Sequence, residues 1–419
     1  MSIAPMTLDP ADRAQPDSIA RRNLTRLMFD TLVTMDDRGR LQPALAVSWQ
    51  ASPGHQRWEF QLRRGVKFQD GSPLTAQAVA ASIRAANPEW TVVPETDSVT
   101  IQRDAPDPSL PAHLARARNA ITRRSEGGTL IGTGPFYLRE WQPGKRLSLV
   151  ANEDYWGGRP FLNGIEIELG KSGRDPLMAL ELGSLDLVEL PPEQARRVGE
   201  GRRVASSLPL VLLALRFSRE PKTPEQAKLR RALALSLDRS SIRNVVLQGA
   251  GEASGGILPG WLSGYAFVFP SAQDMGLARQ LAGEVKPGPA WTLAYDANDP
   301  LDHLIAERIA LNAKDAGISV QVTTSSNADL RLERVPLASL NPWVALEVAS
   351  LAGGPGYAAR NGDSVDQLFN TESAQLSKQL LLPLFYLPAS YASSSAVEDW
   401  SPHRDGTIDF GDIWFGGKL

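Results

Sequence analysis

The stretch from Gly132 to Gly158, GTGPFYLREWQPGKRLSLVANEDYWGG, sets a tight turn, a strand pair and an aromatic pair at fixed offsets. Gly132-Thr133-Gly134-Pro135 predicts a turn whose glycines accept positive φ and whose proline fixes an extended exit. Phe136 to Trp141 read as a strand and Gln142-Pro143-Gly144-Lys145 as a second turn. Leu147 and Leu149, alternating with Arg146 and Ser148, return as the partner strand of a hairpin. Tyr155 and Trp156 are expected to bury their rings against a sheet. No catalytic motif accompanies the block, and by turn chemistry alone it favours a structural hairpin over a binding loop.

With 419 residues the chain is long for one core and suggests two or three domains. An apolar fraction of 42% with 22% charged residues belongs to a globular chain. The 44 basic and 47 acidic residues nearly balance, which removes the electrostatic case for nucleic acid or an anionic membrane as partner. There is no cysteine, so disulfides, thiolate metal sites and cysteine nucleophiles are excluded. No run approaches the roughly 18 apolar residues of a membrane span. Met1-Ser2-Ile3-Ala4-Pro5 lacks the charged region and apolar core of a signal peptide.

Elsewhere the pattern alternates between helix and strand. Leu24, Leu27 and Met28 have helical spacing, and Thr75 precedes a helix carrying Val79 and Ile83. Gly164 to Leu169 alternate as a strand, and a short helix from Met178 to Leu182 stops at Gly183. Leu208 to Phe217 is apolar enough for a buried central strand. Leu229, Leu233 and Leu237 predict a helix, and Asp238 caps another. Thr292 to Val322 reads as a βαβ unit with Asp299-Pro300 opening its helix and Gly317 stopping it. Leu380 to Leu387 is a second buried run, followed by a serine-rich bend at Ser390 to Ser395. The tail with Trp414 and Phe415 is aromatic enough to dock.

The chemistry is sparse. His55, His113, His303 and His403 lack metal-ligand spacing. Glu166 and Glu168 repeat on one strand face as a solvated pair does, without the separation a glycosidase needs. There is no GxSxG, and Gly127-Gly128 has no P-loop lysine. Gly353-Gly354-Pro355-Gly356 reads as a loop more than as a backbone contact to a ligand. No catalytic residue, metal or cofactor is therefore expected.

The Gly132 to Gly158 block resembles the GTGPY…W.PG..l.L..N..YWGG block of the family 5 extracellular solute-binding proteins, the peptide- and nickel-binding receptors of ABC importers. Further segments match in the same order: Leu8-Asp9-Pro10, LMFDTLV from Leu27, LQPALAVSW from Leu41, WEFQLRRGVKFQDGSP from Trp58, ALELGSLDL from Ala179, LRRALALSLDR from Leu229 and LQGAG from Leu247. The resemblance is strong from about Leu8 to about Pro270 and looser beyond.

The resemblance implies a type II periplasmic-binding-protein fold, α/β, with two lobes joined by crossover strands near Leu210 and Pro383 and a reduced β-rich insertion subdomain. Residues 1–32, 151–210 and 384–419 would form lobe I, 33–150 its insertion, and 211–383 lobe II. It implies a monomeric high-affinity receptor that closes on an oligopeptide-like solute and delivers it to an ABC permease and its ATPase. A nickel-chelator or other metallophore complex is the alternative ligand; a hydrolase reusing the scaffold is a third class. It further implies a periplasmic or cell-surface protein whose leader and first strand precede this chain.

For the ligand site, the family pattern points to Ala11 to Ser18, with Arg13 and Asp17 as polar candidates. It also points to Arg123 and Arg124, a pair able to clamp a carboxylate or to form a solvated basic turn. Peptide-binding relatives carry an aspartate for the peptide amine where this chain has Leu340-Asn341-Pro342-Trp343. Glu333 or Asp329 replaces that charge, or the ligand lacks a free amine. Trp343 and Tyr357 are candidate stacking walls or core residues.

Overall fold

The computed structural model describes residues 7–416 apart from 14, 16, 171–174, 286–287, 289 and 352–363. Tyr357 and the Gly353 to Gly356 loop lie outside the described residues. Two long antiparallel strands, Arg202–Phe217 and Leu381–Ser394, run side by side through a seven-stranded sheet. Leu213, Leu215 and Phe217 face one core, while Leu210, Leu212 and Ala214 face another. Period-2 alternation in an apolar run thus feeds two cores from one strand. The ladder is irregular where Pro209 faces Pro388, since neither can donate a backbone hydrogen bond there. The serine-rich segment does not bend: Ser390 and Ser393 are buried and the strand continues to Ser394. Ser206 and Ser390 bond through their hydroxyls at 2.8 Å, supplying locally the pairing that lets serine stay in a strand.

The first core adds helices Pro224–Ser236, Met275–Gly283 and Pro300–Asp315, with parallel strands Ala290–Ala294 and Ser319–Thr323 forming the expected βαβ unit. Asp299 caps its helix and Gly317, at φ 81°, ends it. The Asp238 cap is also present, but its helix passes into a π turn over Ile242–Val246. The second core packs helices Pro342–Leu351 and Val365–Ser377 against the same long strands, together with Ile19.

A third core belongs to a four-stranded antiparallel sheet of Ala46–Ala51, Arg57–Leu62, Ser98–Gln102 and Thr91–Pro94, covered by helix Ala76–Ala86. The fourth lies between helix Ile19–Met28 and the sheet of Phe136–Gln142, Arg146–Ala151 and Gly164–Glu168. Leu24, Leu27 and Met28 meet Phe136, Leu147 and Leu149 there.

The turn at Gly132 forms for a different reason than positive φ. Neither Gly132 nor Gly134 has positive φ. Both lie against the end of helix Ile19–Met28, where a Cβ on Gly132 would stand 2.2 Å from the Met28 carbonyl oxygen and one on Gly134 2.5 Å from the Met28 carbonyl carbon. Tyr155 and Trp156 likewise do more than cover a sheet. Tyr155 Oη donates to Asp30 at 3.0 Å, and Trp156 Nε1 and Thr133 Oγ1 donate to the same carboxylate at 2.8 Å each. Burial pushes the Asp30 carboxyl above its ordinary range, and these three donors oppose that. The tail docks through strand Trp414–Phe415 on Val397–Glu398, although both rings stay half exposed.

Candidate ligand-binding site

Helix Ile19–Met28 begins at Ser18, whose side chain accepts from the Arg21 amide at 3.2 Å. This cap fixes the direction of Arg21 and Arg22. Arg21 Nη2 donates to the carbonyls of Asp9 at 2.7 Å and Asp12 at 3.0 Å, folding the Asp9 to Asp17 segment back over the helix start. Arg22 Nε donates to Asp17 Oδ1 at 2.9 Å, and its Nη1 reaches the Leu337 carbonyl at 2.6 Å. Arg22 thereby ties the first helix to the strand end that leads into helix Pro342–Leu351.

A cavity of about 130 Å³ opens between this segment and the turn at Ala117–Asn119, lined among others by Asp12, Arg13, Asp17, Arg21, Arg116 and Arg118. Arg116 Nη2 lies 3.3 Å from Asp17 Oδ2, and Arg13 Nη2 lies 3.0 Å from Glu89 Oε2. Arg118 Nη2 donates to the Ala86 carbonyl at 3.0 Å and has no ion pair among the described residues. The Nε–H groups of Arg116 and Arg118 are both buried without a hydrogen-bond partner, and the Arg116 side chain is only 10% exposed. An unmade buried hydrogen bond costs about 1–3 kcal/mol, more for charged groups. Burial, with Arg116 and Arg13 adding repulsion, brings the Arg118 guanidinium down to about 10. It remains charged at neutral pH.

Burial alone would raise the Asp17 carboxyl, but Arg22 and Arg116 outweigh it and hold it at about 2. Asp405 is likewise brought to about 2 against the effect of burial, chiefly by Arg26 and Thr407. Carboxylates depressed on folding contribute stability that is full above about pH 4 and lost as pH falls towards 2, on the order of 2 kcal/mol for each. Asp17→Asn is expected to lose about 2 kcal/mol at pH 6 and close to nothing at pH 2. Urea denaturation at the two pH values checks this, and an equal loss at both would contradict it.

The small cavity shares Thr25 and Ala117 with a larger one of about 870 Å³. This second space is lined by the Thr34 to Arg40 hairpin region, Tyr155 to Phe161, Leu340 and the His403 to Asp412 segment. Several of its charges are matched within it: Arg26 with Asp405 at 2.7 Å, Arg40 with Asp36 at 2.7 Å and His403 with Asp37 at 3.2 Å. The larger space has room for a ligand, and the smaller one holds two buried Nε–H groups without a hydrogen-bond partner.

Arg13 and Asp17 thus come together in the small cavity. Arg124 stands beside it, 3.2 Å from Asp9 Oδ2. Arg123 turns away to Asp70 and Ser72 and lies over the Phe68 ring. Glu333 is paired with Arg216 across the central sheet, and Asp329 accepts from Thr292. Asn341 Oδ1 accepts from the amides of Trp343 and Val344, each at 3.1 Å, and so caps its own helix. Trp343 packs against the second core. Sequence reasoning passed over Arg116 and Arg118, whose i, i+2 repeat in LARARNA was the available signal. No group of three or more metal-ligating side chains stands together among the described residues.

Residues 40–345 match the family model of the bacterial extracellular solute-binding proteins, family 5, middle region. The chain belongs to this family. The probable D,D-dipeptide-binding periplasmic protein of Escherichia coli (strain K12) is 28% identical over 362 residues, covering 78% of this chain and 70% of that relative. Alignments with the first curated relatives span 70%, 61% and 31% of their lengths. The fold of this family 5 protein is that of the type II periplasmic binding proteins. The Helicobacter pylori periplasmic binding protein in complex with the peptide STSA superposes with a TM-score of 0.83 at 17% identity, covering 98% of this chain and 96% of that one. NikA from Brucella suis in complex with Fe(III)-EDTA gives a TM-score of 0.80 at 19% identity, covering 99% of each chain. The family is one of solute-binding receptors rather than enzymes, and no described helix here is long and apolar enough to cross a membrane.

Proposed function

We propose that this family 5 protein is the high-affinity receptor of an ABC importer, closing on an oligopeptide-like solute outside the cytoplasmic membrane and handing it to a permease. Lobe I would comprise residues 1–32, 151–210 and 384–419, with 33–150 inserted into it, and lobe II residues 211–383. The observation that carries the reading is the placement of the two adjoining cavities. They lie where the first helix, the turn region from Ala115 to Ala120 and, for the larger one, Leu340 of the second core meet. Sites for small ligands of this kind enclose roughly 300–1,000 Å³. Arg13, Asp17, Arg116 and Arg118 would contact the solute. Closure needs the ligand to favour the closed form, by about 5.5 kcal/mol for a 1:99 to 99:1 swing.

The peptide and chelator complexes of its structural neighbours support both ligand types. A chelator complex is favoured by one observation: Asn341 is neutral and already spent on its helix cap. Native mass spectrometry of the purified protein is expected to show a noncovalent small molecule that is released intact on denaturation. Calorimetry with nickel plus small chelators separates the two ligand types. Cleavage of members of a peptide library would sink the receptor reading.

A further inference from the structure

We propose that His113 and Glu347 form a latch between the inserted unit and the second core, one that holds the protein closed over its two cavities. The inference rests on the receptor reading above and names a device for its closure. His113 lies on the short helix Leu110–Leu114, whose Leu110 and Leu114 belong to the third core. Glu347 lies on helix Pro342–Leu351, whose Ala345, Leu346 and Ala349 belong to the second. His113 Nε2 stands 3.0 Å from Glu347 Oε2, with the two side chains only 7% and 14% exposed. Neither atom has another hydrogen-bond partner. Each therefore depends on the other for compensation while buried, and each would return to water when the two units part.

The imidazole is supported from its own side. Asp107 Oδ2 lies 3.9 Å from His113 Nε2, and that carboxylate is buried and fixed by Arg103 and by the Ser109 amide at 2.9 Å. Asn119 Nδ2 donates to the His113 carbonyl at 2.6 Å. This half is thus built in advance, and Glu347 is the part that arrives with the other unit. An imidazole N–H facing a carboxylate attracts it in the neutral donor tautomer, and more so as the cation. Position couples the pair to the ligand space. The chain leaves His113 for Ala115, Ala117 and Ala120 on the larger cavity and for Arg116 and Arg118 on the smaller. Helix Pro342–Leu351 is entered from Leu340, another wall of the larger cavity. Arg22 ties the start of this segment to the first helix through the Leu337 carbonyl, and the latch ties its far end to the inserted unit. Joining the two helices draws two cavity walls together, so the ligand itself needs to supply less of the bias towards closure.

Double electron–electron resonance on the full chain, dialysed free of retained solute, tests this and requires no ligand. The chain has no cysteine, so Thr91→Cys on the inserted unit and Asn370→Cys on helix Val365–Ser377, both exposed positions, each take one spin label. The labelled protein is expected to show a short distance with at most a minor long one. Glu347→Gln and His113→Gln should each lower the short-to-long ratio about tenfold or more, the scale of a lost charge-assisted contact. The double variant should move it by less than about twofold beyond either single one, because each partner acts through the other. Glu347→Asp, which keeps the charge but shortens its reach, should fall between. Unchanged melting temperatures show that the variants fold, and if His113→Gln does not, the two Glu347 variants decide alone. An unchanged ratio in Glu347→Gln, shifts that add in the double variant, or a single long distance in the labelled protein would overturn the latch. Native mass spectrometry decides the receptor reading separately, and a retained solute there with no shift in these distances would leave the receptor standing without its latch.

Discussion

Gly132→Ala is expected to destabilise the protein by about 4 kcal/mol or more, near the upper end of what single substitutions do. The added Cβ would sit 2.2 Å from the Met28 carbonyl oxygen and 2.4 Å from a ring carbon of Phe29. Neither neighbour can yield cheaply. The Met28 carbonyl already accepts from the Gly134 amide at 3.1 Å and from Gln69 Nε2 at 2.9 Å, and Phe29 is buried in the fourth core. Close-packed interiors transmit such an overlap instead of absorbing it. Gly127→Ala is the control in the same region. Its φ is not positive and its Cβ would meet only Ser125 Oγ, at 3.9 Å, so a change within about 0.5 kcal/mol is expected. Thermal and urea unfolding of the two variants make the comparison, and similar losses would refute the close-approach explanation.

Glu372→Ala is expected to cost about 3–5 kcal/mol, because three buried donors lose their acceptor at about 1–3 kcal/mol each. Glu372 lies on helix Val365–Ser377 and is fully buried. Its Oε1 accepts from the amides of Ile257 at 2.5 Å and Leu258 at 3.0 Å, and its Oε2 from Tyr265 Oη at 2.8 Å. Alanine strands all three donors in the second core. Glutamine keeps an acceptor for the two amides, so Glu372→Gln should lose only about 1–2 kcal/mol. Burial raises this carboxyl above its ordinary range, and the three hydrogen bonds oppose it only in part. A folded-state value raised in this way favours the protonated form, so the contribution is greatest below the ordinary carboxylate range and declines as pH rises through it. The glutamine variant should lose that pH slope. Urea midpoints at pH 4 and pH 7 measure it, and an identical slope in both proteins would contradict the assignment.

Much of the fold was legible because its signals are local. The Thr75 cap, the Asp299-Pro300 helix start and the Gly317 stop are each decided within a turn or two of chain, and the structure forms them where the residues indicate. The apolar run at Leu208 to Phe217 likewise announced a strand buried on both faces. The serine-rich segment misled because serine's preference for bends was outweighed by tertiary hydrogen bonds, Ser206 to Ser390 and Ser207 to the Ala389 amide. The glycines of the GTGP turn misled in a similar way: their need was set by a helix end a hundred residues earlier in the chain.

The site divides along the same line. Composition and pattern gave a cysteine-free, charge-balanced α/β chain, and the resemblance to family 5 pointed to the segment holding Arg13 and Asp17. Which arginines stay unpaired could not be read from it, because pairing depends on partners distant in the chain: Asp17 for Arg116, Asp70 for Arg123, Arg216 for Glu333. Charge in a sequence fixes how many ions must be matched, whereas tertiary packing decides which are matched internally and which are left unmatched. Burial without a partner, as at the Nε–H groups of Arg116 and Arg118, is a property of three-dimensional neighbourhood that residue order does not encode locally.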